Sequence, residues 1–271
     1  MNVMPGTSSA GTPFALTKWY FDAVCADGRT AIGYCTALTW RGLSLTWQAL
    51  TVWDPDHRRL ERSSLAGSGI PSRTNERITW SAPGLDCSVT ADVCQPAVGL
   101  RLFQDSTGFV DWRCEAPLAL VTLEIAGAPP LRGLGYVECL ELTIAPWRLP
   151  IRELRWGRWT AGNATHSIVW VDWRGEEPRT WVLVDGVHAP ALEVQDDRVE
   201  LATSVLTLAS GQTLSSRALD DIVGRIPPLR ALVPPSFLAV RDVKRLSRGT
   251  WQRPGQPDVA GPALHERVVL R

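Results

Sequence analysis

Thirteen tryptophans are spread along this 271-residue chain, and most stand in short stretches where apolar and polar residues alternate. That period of two is the pattern of half-buried β-strands. No stretch keeps a 3.6-residue period long enough for a substantial helix. So much indole either packs solidly or walls an apolar pocket, because indole buries a large area and its face also stabilises cations.

Strands are expected over 19–26 and 30–40, turning at Asp27-Gly28, and from 43 to 54 after Arg41-Gly42. Further short strands follow at 76–81, 86–94, 98–104, 109–114 and 118–125, each bounded by Gly, Pro or Asp. Ala126-Gly127-Ala128-Pro129-Pro130 reads as a boundary. After it come a strand at 135–145, a connection over Pro146–Pro150, and strands near 151–159, 166–173, 180–184, 191–194, 198–203, 238–245 and 264–270. Pro227–Pro235 has room for one helical turn. The expectation is an all-β chain of two consecutive antiparallel barrel or sandwich domains, 18–128 and 129–271, behind a Gly/Ser/Pro-rich flexible terminus, 1–17.

Lysine plus arginine equals aspartate plus glutamate, 28 each, with no basic block, which excludes a nucleic-acid footprint. No apolar run approaches a membrane span, and residues 1–19 lack an export signal, so no stable membrane insertion and a cytoplasmic location are expected. Six cysteines without CxxC spacing argue against a zinc site and a disulfide framework. Four scattered histidines, His57, His166, His188 and His265, do not suggest a metal centre. No nucleotide loop, GxSxG elbow or HExxH motif is present, so neither a cofactor nor a metal is expected.

What remains is carboxylates beside indoles. In Tyr136-Val-Glu138-Cys139-Leu-Glu141, the alternation puts Cys139 and Glu141 on one strand face and Glu138 on the other. In His166-Ser-Ile-Val-Trp170-Val-Asp172, His166, Trp170 and Asp172 share a face. A carboxyl group inside an apolar cavity is held protonated and can donate to an alkene. The bland readings stay open: Asp172 as a turn residue, Glu141 as a partner of Arg152 or Arg155, and His265-Glu266 as a surface or rim pair.

Trp19-Tyr20-Phe21-Asp22-Ala23 followed by Asp27-Gly28 resembles the opening Trp-Tyr-x-Phe-Asp…Asp-Gly of the hydroxyneurosporene synthase (carotenoid 1,2-hydratase) family. Gly135-Tyr136-Val137-Glu138-Cys139-Leu140-Glu141 resembles its Gly-Tyr-x-Asp-His-Asn-Trp motif. The resemblance implies two lipocalin-like β domains, related to those of tocopherol cyclase and of lipocalin-like Diels-Alderases, acting on large apolar substrates in a barrel cavity. Trp170-Val171-Asp172 is similar to the family's Tyr-x-Asp proton donor, and Glu138 matches an acidic position. Cys139 and Glu141 replace its His and Trp, which removes the family's water-handling group.

The expected function is acid-initiated hydration, cyclisation or isomerisation of a terpenoid, polyene or polyketide-like small molecule. Asp172, Glu141 or Glu138 would supply the proton, and Trp170, Tyr136, Trp156, Trp159, Cys139 and His166 would shape the pocket. The alternatives are a pericyclase that preorganises its substrate and a carrier that leaves its ligand unchanged.

Overall fold

The computed structural model describes residues 14–56, 58–67, 69–224 and 226–270, and these form two successive ten-stranded antiparallel sheets. Residues 1–13, most of the segment expected to be flexible, and His57 lie outside the described residues. Residues 15–17 are already strand.

The first sheet contains β1 (Ala15–Cys25), β2 (Thr30–Trp40), β3 (Leu43–Trp53), β4 (Arg59–Ser64), β5 (Ser72–Arg73), β6 (Arg77–Ala82), β7 (Cys87–Val93), β8 (Val98–Asp105), β9 (Gly108–Ile125) and β10 (Leu131–Leu142). Its order is β4-β3-β2-β1-β10-β9-β7-β6-β5, with β8 beside β9. Tight turns set the register. Arg41 and Gly42 both have positive φ, 49° and 79°, the geometry that matches strand twist in a two-residue hairpin. Two expected strands merge into β9, because Pro117 sits at the irregular register around Val137 and so interrupts no regular ladder.

The second sheet contains β11 (Ile151–Thr160), β12 (Ser167–Gly175), β13 (Arg179–Val184), β14 (Val187–Ala189), β15 (Ala191–Val194), β16 (Arg198–Leu201), β17 (Ser204–Leu208), β18 (Gln212–Ala218), β19 (Arg241–Gln252) and β20 (Val259–Val269). Between β18 and β19 lie three short helices, α1 (Asp220–Val223), α2 (Pro227–Leu232) and α3 (Pro235–Leu238), where one turn was expected. The order is β14-β13-β12-β11-β20-β19-β17-β16-β15, with β18 beside β19.

Adding ten to every strand of the first sheet reproduces the second, so the chain is an internal structural repeat. The change of sheet falls between Leu142 and Ile151, not at residue 129: β10 pairs with β1 and β9 along its length and belongs to the first sheet. Ala126–Pro130 is only the β9–β10 turn.

The apolar residues form three layers. Trp19, Phe21, Trp80 and Leu123 fill the first sheet's interior, and Trp159, Trp170, Trp251 and Leu206 fill the second's. A third cluster joins the halves and includes Tyr20, Trp53, Trp112, Tyr136, Trp156, Val171 and Trp173. Strands β1 and β10–β12 are therefore buried on both faces. Asp22 and Arg158, both fully buried, form an ion pair across the middle layer, and the Tyr20 hydroxyl donates to Asp22 Oδ2 at 3.0 Å.

Candidate functional site

In the first interior, Trp19, Phe21 and Trp80 line a void of only about 20 Å³. The large space lies between the halves. A cavity of about 860 Å³ separates the outer face of β1–β4 from β18–β20 and the helical segment, within the roughly 300–1,000 Å³ usual for small-molecule sites.

Strand alternation supplies its first wall: Leu16 and Lys18 on β1, Tyr34 and Trp40 on β2, Trp47 on β3. Pro146-Trp147, in the link between the sheets, inserts an indole that meets Trp40 at 5.1 Å and Phe237 at 5.5 Å between ring centroids. Phe14 closes this aromatic end, 5.9 Å from Trp40. The segment carrying the helices contributes Ile222, Val223, Ile226 and Val233. The segment is an insertion in one copy of the repeat: β8 runs into β9 through Ser106 and Thr107 alone, whereas β18 reaches β19 through residues 219–240.

The other wall carries buried charge. On β19, Asp242 and Lys244 share a face, and Lys244 stands directly across from Glu266 on β20. Lys244, 6% exposed, pairs with both carboxylates and contacts the Tyr34 hydroxyl. The two carboxyls are pushed apart. Burial raises Asp242, and Glu266 adds to the rise against the opposing pull of Lys244. Burial also acts on Glu266, but Lys244 and Lys18 outweigh it and hold that carboxyl below its usual range. Burial alone would lower Lys244, yet Glu266, Tyr34 and Asp242 keep it well above the ordinary lysine range. Burial raises Tyr34, so its phenol stays protonated. An acid, a base and a fixed cation thus line one apolar chamber, an arrangement suited to proton transfer.

The sequence-derived candidates fall into three places. Glu138, Tyr136 and Trp156 come together in the middle layer. Glu138 Oε2 accepts from Trp112 Nε1 at 2.6 Å, Tyr136 Oη at 2.7 Å and Trp156 Nε1 at 3.2 Å, and burial raises this carboxyl. None of the three lines the cavity. Trp159 and Trp170 pack in the second interior, where Trp159 Nε1 donates to Gly249 O at 3.2 Å. His166 bonds Asp185 at 2.8 Å and packs its ring on Trp251. Cys139 lies in the first interior.

The remaining two carboxylates are held by arginines away from the cavity. Asp172 accepts from Arg174 Nε and Thr180 Oγ1, both at 2.6 Å. Glu141 pairs with Arg113 at 3.1 Å, a neighbour on β9 in place of Arg152 or Arg155. Glu266, read from sequence as a rim residue, faces the cavity, while His265 points the other way onto Ser247 Oγ at 2.9 Å. Among the described residues no group of three or more His, Cys, Asp or Glu is placed to hold a metal, and no helix is long and apolar enough to cross a membrane.

Fold and site define a two-domain, internally repeated antiparallel β protein with a chamber between its halves. No family model and no curated protein matches the sequence. Solved structures do share the fold. The chain is similar to CghA, with TM-score 0.57 and 11% identity over 98% of this chain and 94% of that one. It is also similar to kievitone hydratase from Nectria haematococca, with TM-score 0.56 and 10% identity over 96% and 90%. An AttH-like protein of Nitrosomonas europaea matches with TM-score 0.54 and 12% identity over the full length of both chains. The two-domain lipocalin-like architecture expected from the motifs is therefore the architecture of the chain.

Proposed function

We propose that the protein is an enzyme that holds a large apolar small molecule between its two β domains and starts its reaction by proton transfer from Asp242. The observation that carries this reading is the 860 Å³ apolar cavity with one buried acid–base cluster on its wall. Burial raises the Asp242 carboxyl while Glu266 is held low, so of the two Asp242 takes the role of acid toward an alkene or carbonyl and Glu266 that of base. In hydration, the Asp242 O–H bond breaks as the new C–H bond forms. Positive charge then develops beside the faces of Tyr34 and Trp47, which lie stacked 6.1 Å apart. Water adds, and its surplus proton passes to Glu266, which the lysines keep anionic. Cyclisation or isomerisation would begin with the same protonation and end in ring closure or proton loss to Glu266.

This reading moves the acid from Asp172 to Asp242, because Asp172 is committed to Arg174 and Thr180 outside the cavity. A structure of the same fold is named a hydratase, which suits the assignment. Terpenoids, polyenes and polyketide-like polycycles all fit the size and apolar lining.

The test is expression of wild type and Asp242→Asn in a host that makes isoprenoids and polyketides, followed by mass spectrometry of the molecules extracted from each. A molecule whose chemical form differs between the two supports proton transfer. The same unaltered molecule from both would make the protein a carrier, and product formed equally by both would make it a catalyst by preorganisation alone.

A further inference from the structure

Within the proposed ligand cavity, we propose that Lys18 forms an anion subsite, so that the substrate is an apolar molecule bearing one acidic group, a carboxylate or an enolate. The inference rests on the cavity being a ligand site and adds the ligand's charge.

Three cations line the cavity: Lys18, Arg217 and Lys244. Arg217 is held by both oxygens of Glu61 at 2.8 Å, and Lys244 by Asp242 and Glu266. Lys18 alone of the three has no carboxylate within ion-pair distance among the described residues; its Nζ stands 5.3 Å above the centre of the Tyr34 ring. Holding a half-buried ammonium with no carboxylate in contact costs stability, and the two carboxyls that feel its charge on this wall, Glu266 and Asp242, are both already bonded to Lys244.

The internal repeat shows that the fold does not need this charge. The β1–β2 hairpin closes with Cys25 N donating to Arg29 O, and the β11–β12 hairpin with Ala161 N donating to His166 O, both at 2.9 Å. Matching Cys25 to Ala161 aligns β1 with β11 and pairs Tyr20 with Trp156. Opposite those two stand Glu138 and Glu266, which therefore occupy equivalent positions. On the next strands, Cys114 and Trp112 take the places of Lys244 and Asp242.

Lys18 falls on Leu154, an apolar residue packed in the middle layer. The half around Leu154 is filled: Phe103 stacks on Trp173 at 6.0 Å between near-parallel rings, and Glu138 is closed in by three ring donors. The half around Lys18 is open and charged. The same backbone thus packs a leucine into a solid joint in one copy, and in the other places an ammonium with no carboxylate in contact on a cavity wall. Strand rise puts the aromatic end at Phe14 roughly 13 Å from Lys18 along β1, so a ligand bound by its acidic group at Lys18 would lay its apolar body on Trp40 and Trp147.

The test compares 1-pyrenebutyric acid with 1-pyrenebutanol, matched in shape and differing in charge, by fluorescence titration of wild type, Lys18→Met and Lys18→Arg at pH 8. Wild type should bind the acid about tenfold or more tightly than the alcohol, the scale of one charge-assisted hydrogen bond. Lys18→Met should bring the two probes within about twofold, and Lys18→Arg should keep most of the preference. Thermal unfolding of both variants confirms that they fold. Equal binding of the probes by wild type, or a preference that survives in Lys18→Met, would overturn the subsite while leaving the cavity as a ligand site. Failure of wild type to bind either probe would overturn the cavity reading and the subsite with it.

Discussion

Replacing Lys244 by Met probes the charged wall in isolation. The lysine is 6% exposed and sits between Asp242 and Glu266, so its loss leaves two carboxyls facing each other with the more distant Lys18 alone opposing burial. Breaking a buried pair from one side costs about 3–5 kcal/mol. The Asp242 side chain is 33% exposed and lines the cavity, which puts the expected loss at the lower end, about 3 kcal/mol at pH 8. A tenfold change in a protonation equilibrium is worth about 1.4 kcal/mol, so between them the two carboxyls would hold their protons roughly a hundredfold more tightly.

The sign follows from linkage. In wild type, Glu266 is held below its usual 4.5, so its contribution is present above that pH and fades as pH falls through the folded value. In Lys244→Met both carboxyls titrate above their unfolded values, so the variant is penalised at high pH and relieved on acidification. The difference between the proteins should shrink from about 3 kcal/mol at pH 8 to under about 1 kcal/mol at pH 4. Urea unfolding followed by tryptophan fluorescence at the two pH values measures it. A loss of equal size at both would refute the claim that these three groups form one buried electrostatic unit.

Arg158→Met should lower stability by about 3–5 kcal/mol, because it strands the buried Asp22 carboxylate with only the Tyr20 hydroxyl; adding Asp22→Asn should recover much of that in the same denaturation assay. Glu138→Gln should be near neutral or stabilising at pH 7, since burial raises this carboxyl and its charge is lost stability above the folded value. Glu138→Ala should cost several times more by calorimetry, at about 1–3 kcal/mol per stranded donor, because the indoles of Trp112 and Trp156 and the Tyr136 hydroxyl lose their acceptor. His265 is pushed down to about 4 by burial and by Arg245; an NMR titration should find the imidazole neutral at pH 6, with its share of stability present above the ordinary histidine range and lost as pH falls toward 4.

The strands were legible because turn chemistry and alternation agree. Asp27-Gly28 and Arg41-Gly42 mark the first two hairpins, and β1–β3 fall within a few residues of the expected bounds. The sheet boundary was obscured because Ala126–Pro130 is richer in turn residues than the actual crossing at 143–150, where Pro146–Pro150 reads as one more connection between neighbouring strands. Barrel interior and interdomain layer could not be told apart, since β1 and β10–β12 carry large side chains on both faces. Tyr136, Glu138 and Trp156 were singled out together and do meet, in the closed copy of the repeat. The open copy escaped notice because Lys18, Asp242, Lys244 and Glu266 are ordinary strand charges, distant in sequence, whose meeting depends on β19–β20 register and on the packing of one half against the other. A search for repeated Glu positions opposite aromatic residues would have paired Glu138 with Glu266.

The most direct test of the interdomain cavity as the ligand site is titration with Nile red, an uncharged polarity-sensitive dye, of wild type and of Leu38→Trp, whose added indole would project into the chamber from β2. The account predicts one dye bound per wild-type chain, with energy transfer from the surrounding tryptophans, and no binding to a variant that melts within a few degrees of wild type. Equally tight binding by both proteins would contradict it.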